Sequence, residues 1–434
     1  MAFSLLRAAR VAGLVMCAAL GAATLACGHA KAPAGPETPA VTVEAALGNK
    51  LVKAGSSGTM VARIGLAART RSATKRPPVN LALLVDTSGS MEGKAIADAR
   101  AASLALIGSL APEDRIAVVV FDSKAETLLA STRLDDTDPK ELRKKIEAMK
   151  ATGTTDMADG LRMAIHEVTA HLDREGVNRV VLVGDGVPNE DGEILPLVAQ
   201  AAAQGVSVTA LGLGNDYDET LMGRIAQQSG GRFFYVEDSS KVASFFSEEV
   251  TRLHKVVARH AVLELQPGPG VTVTGVVGRS FSGRLPRGVS VPLGDLSLGE
   301  QAEVVVELAS SAAKQGANVE VLDAVLRYED GVGGATHEER VFVGAKSTDD
   351  VAAIAGGRVK SVEDAFARAK DAAATLEKIE NQRNKQNANQ NGPRPAPAAA
   401  MPPKRASNAD ENKLLSPVQM REEHDRAMRN FQAY

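Results

Sequence analysis

VNLALLVDTSGSMEGKA, residues 79–95, sets an apolar run against an abrupt polar stop. Five aliphatic residues, Leu81 to Val85, lead into Asp86. Thr87, Ser88, Gly89 and Ser90 follow, four small residues with three hydroxyls. A continuous aliphatic run of this length suits a parallel strand covered on both faces. Such a strand would deliver a carboxylate and a cluster of hydroxyls to its carboxyl end, where doubly wound sheets bind their ligands.

The pattern recurs from Asn80 to about Val256. IAVVVFD (116–122), VVLVGD (180–185), VSVTALGLG (206–214) and FFYV (233–236) are further strand candidates. Helical segments lie between them. One carries Ile96, Ala99, Ser103, Leu106, Ile107 and Leu110 at helical spacing and stops before Pro112. Another starts at Asp138-Pro139, an N-cap with proline at the first helical position. The alternation predicts an α/β domain with a doubly wound, mostly parallel sheet over 79–256.

On either side the pattern is different. From about Arg259 to Val343 the helical signal vanishes. AVLEL, VTVTGVV, AEVVVEL, VEVLDAVLRYE and RVFVG are separated by Gly, Pro and Asp. This reads as an antiparallel β-sandwich region over 257–346. VTVEAAL (41–47) and MVARIGLAA (60–68), within a β flank at 41–78, are too few to fold alone. Both flanks are expected to join in one sandwich, with the α/β domain inserted. A helical segment at 347–380 follows, then a low-complexity linker at 381–412 that reads as disordered. The segment 413–434 starts a helix at Ser416-Pro417, and its thin apolar stripe of Met420, Ala427, Met428 and Phe431 reads as a marginal surface helix.

The first 26 residues read as an export signal, with a basic head at Arg7 and Arg10 and an apolar run ending in small residues. Thr24-Leu25-Ala26-Cys27 resembles a bacterial lipobox, with Thr24 where Leu is usual. That implies a lipid on Cys27, a tether over 27–40, and a place in the cell envelope. Gly28 after the cysteine resembles lipoproteins sorted to the outer membrane. The other cysteine, Cys17, falls inside the signal, so the folded part has no disulfide to form. Without the signal, 48 basic residues face 53 acidic ones, a balance of about −5. That gives no footprint for nucleic acid. Aromatic content of 3%, without Trp, argues against stacking platforms.

Asp185 ends VVLVGD as Asp86 ends its own strand. Thr154, Thr155 and Asp156 stand ahead of a helix in ATGTTDMADGL. Three loops can therefore converge with oxygen groups only. Such clusters suit hard cations, and Mg²⁺ takes near-octahedral oxygen at roughly 2.0–2.1 Å. Neutral hydroxyls leave the cation under-neutralised, with an open position for a partner's Asp or Glu. Asp122 ends a neighbouring strand near the same edge and reads as a structural or rim residue. Asp135, Asp136 and Asp138 lack the glycine and distal glutamate of a calcium loop and read as helix-capping residues.

Asp86-Thr87-Ser88-Gly89-Ser90 resembles the DxSxS motif that opens the metal-ion-dependent adhesion site (MIDAS) of von Willebrand factor type A (VWA) domains. The resemblance implies Ser88 and Ser90 as direct ligands. Thr155-Asp156-Met157 with Gly160-Leu161 matches the family's second segment and selects Thr155. Asp185-Gly186 matches its second aspartate, although Gly184 stands where Ser or Thr is usual. The implied metal set is Asp86, Ser88, Ser90, Thr155 and Asp185, with Mg²⁺ as the cation and Mn²⁺ or Ca²⁺ as alternatives. The flanks resemble bacterial VWA lipoproteins and, more distantly, inter-α-trypsin inhibitor heavy chains.

Enzyme signatures fail. There is no G-x-S-x-G elbow and no phosphate-binding G-x-x-x-x-G-K-[ST]. SGSMEGKA lacks the latter's spacing, and a DxDxT aspartate motif would need Asp where Ser88 stands. The expectation is a non-enzymatic, metal-dependent protein-binding module. A metal-assisted hydrolase at the same edge, or a structural envelope protein without metal, are the alternatives.

Overall fold

A computed structural model of the chain describes residues 39–69, 76–184, 188, 192–213, 218–236, 239–279, 281–283, 288–331, 334–390 and 423. The expected export signal, Cys27, nearly all of the tether and, apart from Glu423, the C-terminal segment lie outside these residues.

The chain opens with β1 (Val41–Leu47), β2 (Leu51–Lys53) and β3 (Gly58–Ala68). The α/β domain follows: β4 (Val79–Asp86), α1 (Lys94–Ser109), β5 (Arg115–Phe121), β6 (Ala125–Arg133), α2 (Pro139–Glu147), α3 (Met157–Thr169), β7 (Val177–Gly184), α4 (Ile194–Ala203), β8 (Val206–Leu213), α5 (Glu219–Gln228), β9 (Phe233–Val236) and α6 (Ser239–Leu253). Its sheet has the order β6-β5-β4-β7-β8-β9. All neighbours are parallel except β5 and β6. Chain order reverses at β4, so the carboxyl ends of β4 and β7 flank the switch point where such sheets bind ligands.

All eight residues of β4 are buried, yet they serve two cores. Leu81, Leu83 and Val85 pack with α1, α2 and α6. Ala82 and Leu84 pack with α3, α4 and α5. Period-two alternation is therefore present, hidden because both faces are covered. In this sheet the unanticipated strand is β6, whose sequence AETLLASTR is polar and only half-buried at the sheet edge. Leu51–Lys53, Ser282–Gly283 and Val289–Ser297 are further strands not anticipated from the sequence.

The remaining elements are β10 (Val256–Pro267), β11 (Val271–Val276), β12 (Ser282–Gly283), β13 (Val289–Ser297), β14 (Gln301–Ser310), β15 (Asn318–Asp330), β16 (Thr336–Thr348), α7 (Val351–Gly356) and α8 (Lys360–Gln390). They form a sheet β1-β3-β14-β11 and a sheet β12-β13-β10-β15-β16-β2. The first places both flanks side by side, with Ile64 paired to Ala45 on one edge and Val304 on the other. Ile64, Leu66, Val304 and Val306 share one core with Leu263, Leu265, Leu322 and Leu326. The sandwich is thus single, the α/β domain is inserted in it, and among its described strands only β2 with β16 is parallel. Helix α8 packs Ala365 and Phe366 against Val277 and Val305. It runs on to Gln390, into the stretch that reads as linker, because the first breakers are Gly392 and Pro393. Among the described residues no helix is long and apolar enough to cross a membrane.

Candidate metal centre

Strand β4 ends at Asp86, which is fully buried. The backbone N–H of Ser88 donates to Asp86 Oδ1 at 2.8 Å, a local turn that fixes the carboxylate against its own loop. Thr87 donates twice to the carbonyl of Phe121, from its N–H at 2.8 Å and its hydroxyl at 3.1 Å. Of the three hydroxyls in this loop, that of Thr87 is therefore committed to backbone. The Ser88 and Ser90 hydroxyls lie 3.0 Å apart. A single helical turn, Gly89–Met91, holds them, with Met91 buried beneath.

The second loop is stitched to the first. Thr152 N–H donates to the Thr87 carbonyl at 2.8 Å, and Gly89 N–H to the Gly153 carbonyl at 3.2 Å. Its three candidates then separate. Asp156 caps α3, its carboxylate accepting the N–H of Asp159. Thr154 is exposed, and its hydroxyl bonds Ser123 Oγ. Thr155 is 6% exposed, and among the described residues its hydroxyl makes no hydrogen bond. The third loop leaves β7 at Gly184, next to Asp86. A Cβ built at Gly184 would stand 2.4 Å from Asp86 Cβ and 3.0 Å from its Oδ2. Here the Ser or Thr expected by resemblance is sterically excluded by the present position of Asp86. Asp185 itself lies outside the described residues.

Asp122 reads from the sequence as a structural or rim residue, and Ser123 is not singled out at all. They sit in the turn between β5 and β6 and hold the second loop by several bonds. No sequence motif marks them. Asp138 caps α2 as expected, accepting from the N–H groups of Lys140 and Glu141.

The donor chemistry fits a hard cation. Adjacent vertices of an octahedron with ligands at roughly 2.0–2.1 Å are roughly 2.9 Å apart, close to the 3.0 Å between the two serine hydroxyls. Among the described residues no group of three or more His, Cys, Asp or Glu side chains could hold a metal. A centre here would rest on hydroxyls beside a few carboxylates.

Comparison with known proteins agrees with this architecture. The family model described as von Willebrand factor type A domain matches residues 80–248, the span of the doubly wound sheet. A solved von Willebrand factor type A protein from Catenulispora acidiphila superposes with a TM-score of 0.66 at 18% identity, covering 82% of this chain and 84% of that one. An uncharacterized protein of Synechocystis sp. is 28% identical over 287 residues, 63% of this chain and 67% of its own length. Inter-alpha-trypsin inhibitor heavy chain H2 of Mesocricetus auratus is 26% identical over 282 residues, 61% of this chain but only 29% of the heavy chain. Residues 80–248 of this chain are a VWA domain, carried as an insertion by a β-sandwich.

Proposed function

We propose that this is an exported, non-enzymatic protein that binds a protein partner through a divalent cation, Mg²⁺ first among candidates. Asp86, Ser88, Ser90, Thr155 and Asp185 would hold the ion. The observation that carries the reading is the convergence at the switch point: a buried carboxylate, two serine hydroxyls 3.0 Å apart, and a buried Thr155 on a loop hydrogen-bonded to theirs. When bound, the cation supplies a Lewis-acidic position that a carboxylate from the partner can complete. The chain's part is to keep the loops registered, with Thr87 spent on the Phe121 carbonyl so that Ser88 and Ser90 remain available. A lipid on Cys27 would place the module at the bacterial cell envelope, with the outer membrane as the reading from Gly28.

The test is capture from a cell-envelope extract by the full chain, with Mg²⁺ or with EDTA. Ser88→Ala/Ser90→Ala and Thr87→Val run beside wild type. A protein retained by wild type and Thr87→Val with Mg²⁺, and lost with EDTA or in the double variant, supports the reading. Retention indifferent to EDTA and to the double variant overturns it.

A further inference from the structure

Thr155 has to be delivered to the serines from a separate loop, and its position is set by its neighbours. Three residues around it are tied to Asp122 and Ser123 in the three-residue turn between β5 and β6. Thr152 Oγ1 donates to Asp122 Oδ2 at 2.8 Å. Thr154 N–H donates to Ser123 Oγ at 3.0 Å. Asp156 N–H donates to the Asp122 carbonyl at 2.7 Å. The turn is itself fixed, since Lys124 N–H donates to Asp122 Oδ1. Gly153 makes the close approach feasible. It has φ of +69°, and a Cβ there would lie 2.4 Å from Ser123 Oγ. The opposite side of the loop is held by Thr87 and Gly89. Residues 152–156 are thus clamped between the loop that carries the serines and the Asp122–Ser123 turn.

We propose that Asp122 and Ser123 are positioning residues, and that they set the cation affinity of the centre by fixing Thr155 without touching the ion. The proposal rests on the cation reading given above. Outer-shell partners of metal ligands change affinity by about 10–100-fold when removed.

Mg²⁺ is titrated calorimetrically into the full chain and into Asp122→Ala, Thr152→Val, Thr152→Ser and Ser88→Ala, and the unfolding midpoint of each is measured without metal. The expected result is abolished binding in Ser88→Ala, and binding about tenfold weaker in Asp122→Ala and Thr152→Val. Thr152→Ser, which keeps the donor, should bind as wild type. Midpoints should stay close to wild type, because the lost bonds are on exposed groups. If Ser88→Ala abolishes binding while Asp122→Ala and Thr152→Val bind as wild type, positioning is overturned and the cation centre stands. Weaker binding that follows a fall in midpoint, with no rescue in Thr152→Ser, also overturns positioning. If wild type takes up no Mg²⁺, the cation reading falls and this one with it.

Discussion

Arg179 of β7 and Asp295 of β13 meet at 2.7 Å across the junction between the inserted domain and the sandwich, with side chains only 1% and 3% exposed. The pair belongs to a chain of bonds that crosses the junction twice. Arg179 also donates to Thr209, which donates to Glu249, and Glu249 accepts from Arg252. Arg252 returns to the sandwich at Ser297 and Glu300. Burial opposes the charge on Arg179, so removing Asp295 leaves a buried cation without its direct partner, with only the more distant Glu249 to offset it. Asp295→Ala is expected to cost about 3–5 kcal/mol, measured by denaturant unfolding at neutral pH. A change below about 1 kcal/mol would show that the junction tolerates a lone arginine.

Acid should weaken the same junction in a defined window. Burial alone would raise the Glu249 carboxyl, but Arg252, Arg179 and Arg232 pull it down to about 2. A carboxyl lowered on folding contributes stability that is present above its unfolded value, near 4.5, and lost as pH falls through the folded one. Between roughly pH 5 and 2 the wild type is expected to lose about 3 kcal/mol from this group. Glu249→Gln should show a flatter profile over that range, and its unfolding free energy plotted against pH checks this. Equal slopes in the two proteins would refute the assignment.

Gly184 offers a steric test of the centre. A side chain there must displace Asp86, since the added Cβ would stand 2.4 Å from Asp86 Cβ. Gly184→Ser is expected to weaken Mg²⁺ binding about tenfold while the protein stays folded. Calorimetric titration beside a thermal melt reads both, and unchanged affinity would mean that Asp86 relaxes without cost.

Much of this molecule was legible in the sequence because burial leaves a strong mark there. The aliphatic run before Asp86 and its counterparts at Val180 and Val206 could only be covered strands, and all three are neighbours in the observed sheet. The sandwich was legible by elimination, since β1 and β3 pair with each other but are too few to fold alone, and the second edge of β3 is filled only by β14. Strand β6 escaped because an edge strand need not be apolar. The roles of Thr154 and Asp156 could not be separated from that of Thr155 by composition. The family pattern selects Thr155, and the structure gives the roles of the other two: Thr154 bonds the distant Ser123 Oγ, and Asp156 makes the local cap of α3. The Asp122–Ser123 turn was invisible for the same reason: its bonds reach some thirty residues along the chain.

The inserted topology also dictates an order of assembly. Arg63 on β3 bonds Glu303 on β14 at 2.8 Å, across 240 residues of chain. Closing so long a loop is slow, whereas consecutive βα units form from near neighbours. During synthesis the VWA domain can therefore complete its core while β3 waits, eleven residues long, with one edge unpaired. An open strand edge is a template for pairing with other chains. The interval before β14 arrives is the stage at which this protein is most exposed to aggregation, and slowing the inserted domain's folding would lengthen it.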